Sequence, residues 1–308
     1  MGKVAFVFAG QGAQYPGMGK ALYESSAAAK QVMDAAEAIR PGTLKMCFEG
    51  DKAELSQTIN TQPCLYMVDY ACAAALREQG IEPDCVAGFS LGEVAAAAFA
   101  GMVSFEEGFR LVMKRAELMQ DCAERHPGGM AAIVKLSAEK VEEICSQLPE
   151  AWPVNYNCPG QIVVACRMDL MDELAAKAKA AGGRALKLNV SGAFHSPYMK
   201  EAAEGLHEYL KAHPLTESAI PVYANRTAQP YAGDMDELLA LQAASPVRWQ
   251  QTVENMKGDG VTAFVEVGAG TTLCGLIGKT DSSLVTANVA DSDSLNAAIA
   301  KIKEASAC

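Results

Sequence analysis

The spacing of apolar residues changes period several times along this chain, and each change marks an element. Residues 3–9 (KVAFVFA) form an almost unbroken apolar run that stops at Gly10-Gln11-Gly12-Ala13-Gln14. A run without alternation predicts a strand buried on both faces, hence a central strand of a parallel sheet. Residues 21–40 repeat their apolar positions at helical spacing. Residues 63–78 do so again, with Pro63 in the first turn and Gly80 as the stop. Cys85-Val86-Ala87 is a short apolar strand that meets Gly88-Phe89-Ser90-Leu91-Gly92, and an alanine-rich helix begins at once. Gly101 ends that helix. Ser104 to Glu107 has the spacing of a capping box, opening another helix to about residue 124.

After His126-Pro127-Gly128-Gly129 the rhythm changes. Strands are predicted at 130–136, 152–157, 161–166 and 184–190, and helices at 138–148 and 168–181. That order is the split βαβ, ferredoxin-like arrangement. Beyond it, helices are expected from Pro197 to about 211, at 235–244, at 247–256 and at 294–305. Strands are expected at 222–224, 263–267 and 283–288. The predicted fold is α/β. A large domain, 1–125 and 191–308, holds a central parallel sheet flanked by helices, an α/β-hydrolase-like core. An inserted ferredoxin-like subdomain spans 126–190.

Length supports this division, since 308 residues, 50% of them apolar, suffice for one large core plus an insertion. A net charge of −11 disfavours nucleic-acid binding, which calls for a basic face. The longest apolar stretch, 94–103, is too short to span a bilayer. Residues 4–9 are too few for a secretory signal. Cys64, Cys72, Cys85, Cys166 and Cys274 sit inside apolar runs, and no C-x-x-C pair occurs among the ten cysteines. These features predict a cytoplasmic protein with reduced thiols and no membrane segment.

The chemistry centres on G-x-S-x-G at 88–92. A strand before it and a helix after it are the context of a nucleophile elbow, in which a sharp turn lifts the serine Oγ clear of the backbone. The Leu91 N–H then points to where an attacked carbonyl oxygen would sit, over the positive end of the helix. The Gly10–Gln14 loop fails as a dinucleotide fingerprint, because Tyr15 occupies the third glycine position. It remains either a mere turn or a tight loop at the carboxyl end of a strand, where α/β sheets build sites.

A serine needs a base, and histidine is the usual one. Of four histidines, His207 lies mid-helix among Glu204, Glu208 and Lys211; His213 precedes Pro214 at a helix end; His126 lies in a polar break. His195 alone stands in a loop of small and aromatic residues. No acid between Ser90 and His195 suits the third place of a triad, since Asp169, Asp172 and Glu173 fall in the insertion, so a backbone carbonyl is expected to hold the imidazole instead. Arg115, inside a helix, reads locally as a solvated charge.

Together these segments resemble the malonyl-CoA:acyl carrier protein transacylases. The resemblance rests on Phe8–Gln14, Gly88–Glu93, Arg115 within Lys-Arg-Ala-Glu-Leu-Met-Gln, Asn155-Tyr156-Asn157 before Pro159-Gly160-Gln161, Gly192–Pro197, Gln242 ahead of Ser245-Pro246-Val247-Arg248-Trp249, and Glu266-Val267-Gly268. It covers essentially the whole chain. It implies that Ser90 carries the acyl group and that His195 takes its proton. It further implies that the Gln11 and Leu91 N–H groups form an oxyanion hole, that the main-chain oxygen of Gln242 orients His195, and that Arg115 grips the malonyl carboxylate in a planar fork. Phe89, Phe194 and Asn157 are expected to line the substrate pocket. Malonyl-CoA and an acyl carrier protein are the implied partners, with no metal and no cofactor. Two positions depart from the family: Phe89 stands where histidine is usual, and Ala269 where proline is common. The Ala193-Phe194 pair resembles malonyl-selective members, and a phenyl ring there would crowd an α-methyl group by about 1–3 kcal/mol.

Other readings are a discrete acyltransferase of a polyketide pathway, a serine esterase or acyl hydrolase, and a non-catalytic docking subunit. Arg115 separates the first class from the hydrolases, which have no use for a buried guanidinium on neutral esters. Intact Ser90, His195 and Gln11 argue against the docking subunit. An acidic carrier protein is expected to dock on a local basic patch near Lys177, Arg184 and Lys187.

Overall fold

The computed structural model describes residues 2–190 and 192–307. Met1, Ser191 and Cys308, all within the predicted large-domain segments, lie outside the described residues. Nine strands form two sheets among the described residues. The first sheet is parallel throughout and contains β1 (Lys3–Phe8), β2 (Cys85–Gly88), β7 (Val222–Tyr223), β8 (Val261–Val267) and β9 (Val285–Val289), in the order β7-β2-β1-β8-β9. β1 is the centre, as its unbroken apolar run requires. Its alternate residues enter different cores: Val4, Phe6 and Phe8 join one buried cluster, and Ala5 and Val7 another. Phe6 and Phe8 pack against Phe99 on the helix Leu91–Ala100, with ring centroids 5.9 and 5.7 Å apart. Ala5 and Val7 share the opposite core with Trp249 and Ile277.

The second sheet is antiparallel: β3 (Gly128–Val134), β4 (Ala151–Cys158), β5 (Gln161–Arg167) and β6 (Arg184–Lys187), in the order β4-β5-β3-β6. Two helices, Ala138–Ser146 and Met171–Ala180, close its own core around Ile133, Val141, Ile144, Val164 and Leu174. β4 is not a free edge. The Tyr156 N–H donates to the Val247 carbonyl at 2.9 Å and the Val247 N–H to the Val154 carbonyl at 2.8 Å, so the chain entering the helix Trp249–Gly258 stitches this sheet to the rest.

Several helices differ from the pattern-based expectation. The stretch 21–40 is two helices, Lys20–Ser25 and Ala27–Ile39. Ser26 lies in extended backbone between them and caps the second, accepting from the Ala29 N–H. The helix expected to start at Pro63 runs Thr58–Glu78. Pro63 forfeits only one intrahelical bond, and the turn before it is held by the Gln57 carbonyl, which accepts from the Asn60 and Thr61 N–H groups at 2.8 Å each. That early turn carries Gln62 into the interior. The helices Thr43–Glu49 and Lys52–Leu55 have no counterpart in the expectation. Ser104 does cap Phe105–Arg125, accepting from the Glu107 N–H at 3.1 Å, but the Glu107 carboxylate turns to Tyr209 rather than back to the cap. Among the described residues no helix is long and apolar enough to cross a membrane.

Candidate active site

The turn between β2 and the helix Leu91–Ala100 is as sharp as its glycines suggest. A Cβ on Gly88 would lie 1.9 Å from the Gly92 backbone, and one on Gly92 would lie 2.2 Å from the Phe8 carbonyl oxygen. Only hydrogen fits at either place. Between them Ser90 adopts φ 55 and ψ −105, a region that costs an L-residue on the order of 1–3 kcal/mol. Two side chains hold it there. The Ser90 N–H donates to Asn225 Oδ1 at 2.7 Å, and the Ser90 carbonyl accepts from Gln242 Nε2 at 2.6 Å. Asn225 lies just past the end of β7 and donates from Nδ2 to the Gly88 carbonyl at 2.6 Å.

His195 is brought to the elbow from 105 residues away, its Nε2 lying 2.7 Å from Ser90 Oγ. It too has positive φ, 61°. Its Nδ1 faces the main-chain oxygens of Gln242 at 3.0 Å and Ser245 at 3.2 Å. Two carbonyls can only accept, so the proton sits on Nδ1 and Nε2 is left as an acceptor facing the Ser90 hydroxyl. Among the described residues no carboxylate is hydrogen-bonded to the ring, and Ser245 is a second carbonyl partner beside Gln242. Burial, and next the charge of Arg115, pull His195 down to about 4, so the ring is neutral at physiological pH.

Arg115 is 3% exposed and reverses its local reading as a surface charge. Its Nη1 donates to Gln62 Oε1 at 2.8 Å; its Nη2 donates to Gln242 Oε1 at 2.9 Å and to Ser90 Oγ at 3.1 Å. The guanidinium is therefore in direct contact with the serine. Burial lowers it to about 10, opposed by the charge of Glu93, so it stays protonated. Gln242 is the hub: its main chain holds the imidazole, its Oε1 the guanidinium, its Nε2 the Ser90 carbonyl and, at 2.9 Å, Glu93 Oε2.

A cleft of about 470 Å³ opens between the carboxyl ends of β1, β2 and β8 and the second sheet. Gln11, Phe89 and Asn157 line it, with Val163, Leu188 and Leu273. The loops after β1 and β2 touch, since a Cβ on Gly10 would lie 2.6 Å from the Phe89 carbonyl, and this sets Gln11 beside the elbow. Neither the Gln11 nor the Leu91 N–H donates to a protein acceptor among the described residues. The Asn157 Oδ1 is buried and likewise has no partner among them. Phe89 lies edge-on to Trp249, ring centroids 5.5 Å apart. Phe194 is buried in the main core, next to His195 in the chain. No group of residues suited to holding a metal ion occurs among the described residues.

The model of the acyl transferase domain matches residues 5–301. A malonyl CoA-acyl carrier protein transacylase of Bacillus subtilis (strain 168) is 40% identical over 99% of this chain and 98% of its own. One of Synechocystis is 36% identical over 96% and 99%. The chain belongs to the malonyl-CoA–acyl carrier protein transacylase family. Among solved structures, the transacylase from Clostridium perfringens superposes with a TM-score of 0.95 at 33% identity, covering 99% of this chain and 98% of that one. A malonyl-transacylase in complex with a type II PKS acyl-carrier protein gives 0.93 at 33%, covering 97% and 99%.

Within this transacylase site, the roles of five residues escaped the sequence reading, among them Glu93, whose Oε1 accepts from the Tyr231 hydroxyl. Gln62 was hidden by the late helix start assigned at Pro63. Tyr231 and Ser245 lie in irregular segments that carry no periodic signal. Asn225 had one usable signal: it follows a parallel strand at its carboxyl end, where such sheets gather functional groups. The predicted docking cations Arg184 and Lys187 are exposed on β6, which leads directly into the cleft wall at Leu188 and Val190; Lys177 lies nearby in sequence on Met171–Ala180, bonded to Gln147 Oε1 at 3.1 Å.

Proposed function

We propose that this protein moves the malonyl group of malonyl-CoA onto the phosphopantetheine thiol of an acyl carrier protein, by way of a malonyl ester on Ser90, as a cytoplasmic step of fatty-acid synthesis. In the first half, His195 Nε2 takes the Ser90 proton as Oγ attacks the thioester carbon. The Gln11 and Leu91 N–H groups receive the oxyanion. The tetrahedral adduct then expels the CoA thiolate, which takes the proton back from His195. In the second half the carrier thiol gives its proton to His195 and attacks the ester, and Ser90 leaves as the hydroxyl. Gln242 orients His195 through its main-chain oxygen. Phe89, Asn157 and Phe194 form part of the pocket wall.

The observation that carries this reading is the guanidinium of Arg115 bonded to Ser90 Oγ. Acylation turns that oxygen into a weak ester acceptor and brings a carboxylate within reach, so Nη2 exchanges a neutral partner for an anionic one. A hydrolase of neutral esters gains nothing from a buried cation at its nucleophile. We assign the antiparallel sheet to an inserted subdomain, 126–190, whose inner face supplies the second wall of the cleft. The exposed Arg184 and Lys187 beside that wall are the proposed carrier contact. The solved complex with a type II PKS carrier favours a second reading, supply of malonyl units to polyketide assembly. Incubation of wild type and Ser90→Ala with malonyl-CoA, followed by intact-mass detection and chase with fatty-acid and polyketide carrier proteins, tests both. A malonyl adduct that persists in Ser90→Ala sinks the mechanism.

A further inference from the structure

Glu93 is a fully buried carboxylate, yet neither half-reaction above uses it. Two of its three polar partners lead back to the elbow. Its Oε1 accepts from the Tyr231 hydroxyl. Its Oε2 accepts from the Asn225 N–H at 3.0 Å and from Gln242 Nε2 at 2.9 Å. Asn225 and Gln242 are the two residues that pin the N–H and the carbonyl of Ser90 in its strained conformation. Gln242 also bonds both Arg115 and His195. One side chain therefore stands behind nucleophile, base and guanidinium without touching the reacting atoms.

We infer that Glu93, in its ionised form, is the positioning residue of this site, fixing Asn225 and Gln242 so that Ser90 stays aimed at His195 and Arg115. All three of its neighbours approach as donors, and of these only the Tyr231 hydroxyl can turn round to accept, so the carboxylate holds all three with charge-assisted bonds. Protonation on Oε1 reverses the Tyr231 bond and leaves the Asn225 and Gln242 N–H groups on a neutral acceptor, where their bonds are roughly half as strong. Burial raises Glu93 to about 7, opposed by the Tyr231, Gln242 and Asn225 bonds and by Arg115. The other charged or titratable groups facing this network are Arg115, which stays cationic, Tyr231, pushed far up by burial, and His195, pulled to about 4. An acid limb near pH 7 therefore belongs to Glu93, and one near 4 to His195.

The inference rests on the malonyl-Ser90 reading, and its test keeps the two apart. The probe is malonyl-N-acetylcysteamine, which lacks the titrating phosphates of CoA, and the readout is the rate of malonyl-Ser90 formation by intact mass across pH 5–9. Wild type is expected to lose activity as pH falls through about 7. Glu93→Gln keeps the shape but puts a neutral acceptor and an unpartnered N–H in place of the carboxylate, and is expected to acylate about 10- to 100-fold more slowly in kcat, with KM little changed and the limb near 7 abolished. Glu93→Asp keeps the charge and is expected to recover part of the rate and the limb. Should Glu93→Gln not fold, Tyr231→Phe serves: losing a bond that lowers Glu93 moves the limb to higher pH. Acylation of Glu93→Gln at the wild-type rate, or a limb unmoved in Tyr231→Phe, overturns the inference. Wild type that forms no adduct overturns the malonyl-Ser90 reading itself, and the assignment to Glu93 with it.

Discussion

Replacing Arg115 by alanine tests the claim that the guanidinium chooses the acyl group. In the free enzyme Nη2 already bonds two neutral oxygens, Gln242 Oε1 and Ser90 Oγ. A malonyl carboxylate therefore does not add bonds to a bare cation; it replaces neutral acceptors with charged ones. That exchange is worth about 1 kcal/mol per bond, because charge-assisted bonds contribute roughly 1.5–3 kcal/mol against about 1 for neutral ones. Two bonds, plus the Coulomb attraction in a dry site, give about 2–3 kcal/mol. The malonyl-to-acetyl ratio of second-order acylation rates is then expected to fall roughly 30- to 150-fold in Arg115→Ala.

The same substitution acts on the base. The Arg115 charge is the second cause, after burial, of the lowered basicity of His195. Removing it raises the imidazole toward its ordinary value and strengthens the base for either donor, but it also raises Glu93, so acetyl transfer should rise in absolute terms at alkaline pH, where Glu93 stays ionised. In the native enzyme a malonyl carboxylate achieves the same relief by neutralising the guanidinium, which couples substrate charge to base strength. Arg115→Lys retains the charge without the fork and should keep the low basicity of His195 while losing most of the selectivity. Rapid-quench intact-mass measurements with malonyl-CoA and acetyl-CoA read both quantities. A ratio within twofold of wild type would remove the carboxylate role from Arg115. An acetyl rate that falls at alkaline pH would remove the electrostatic argument about the base.

Three further outcomes follow from the same geometry. His195 sits at about 4 when folded against an ordinary 6.5, so the unfolded chain binds the extra proton more readily. Its contribution, on the order of 3 kcal/mol, is fully present above pH 6.5 and lost as pH falls toward 4, and His195→Gln should flatten thermal unfolding midpoints over that window. Gly92→Ala drives a Cβ to 2.2 Å from the Phe8 carbonyl, and chemical denaturation should show about 3 kcal/mol or more lost, or no folded protein; a fully stable variant would contradict the elbow geometry. Asp69 is fully buried, has no hydrogen-bond partner among the described residues, and is raised well above the carboxylate range by burial and by Glu266. Its charged form costs stability as pH rises, so Asp69→Asn should raise the melting temperature, most at high pH, and a lowered one would mean that the acid has a hidden partner.

Much of the architecture was legible before any coordinates, because local rules and the tertiary environment agreed. The unbroken apolar run at 3–9 is readable as the central strand only because both its faces are covered, and they are. The elbow is readable because only glycine fits two residues to either side of Ser90, a constraint that five adjacent residues express by themselves. Helix boundaries were less legible where a long-range contact outweighed a local signal. Pro63 marks a first turn by propensity, yet the helix starts at Thr58 because local bonds hold the earlier turn and Arg115 meets Gln62 on it. Arg115 itself looks like surface on a helical wheel; it is interior because Gln62, Gln242 and Glu93 surround it from segments far apart in the chain.

What the order of amino acids determined, then, was the layering of the fold, the serine on its bend and the short choice of bases. What the folded chain alone decided was that the Ser245 carbonyl joins that of Gln242 on the imidazole, that the guanidinium touches the nucleophile, and that a buried carboxylate stands behind both. The physical reason is range. Strand, helix and turn preferences act over a few residues, whereas the contacts of His195, Asn225 and Gln242 with the elbow join positions more than 100 residues apart and exist only once the sheets have packed.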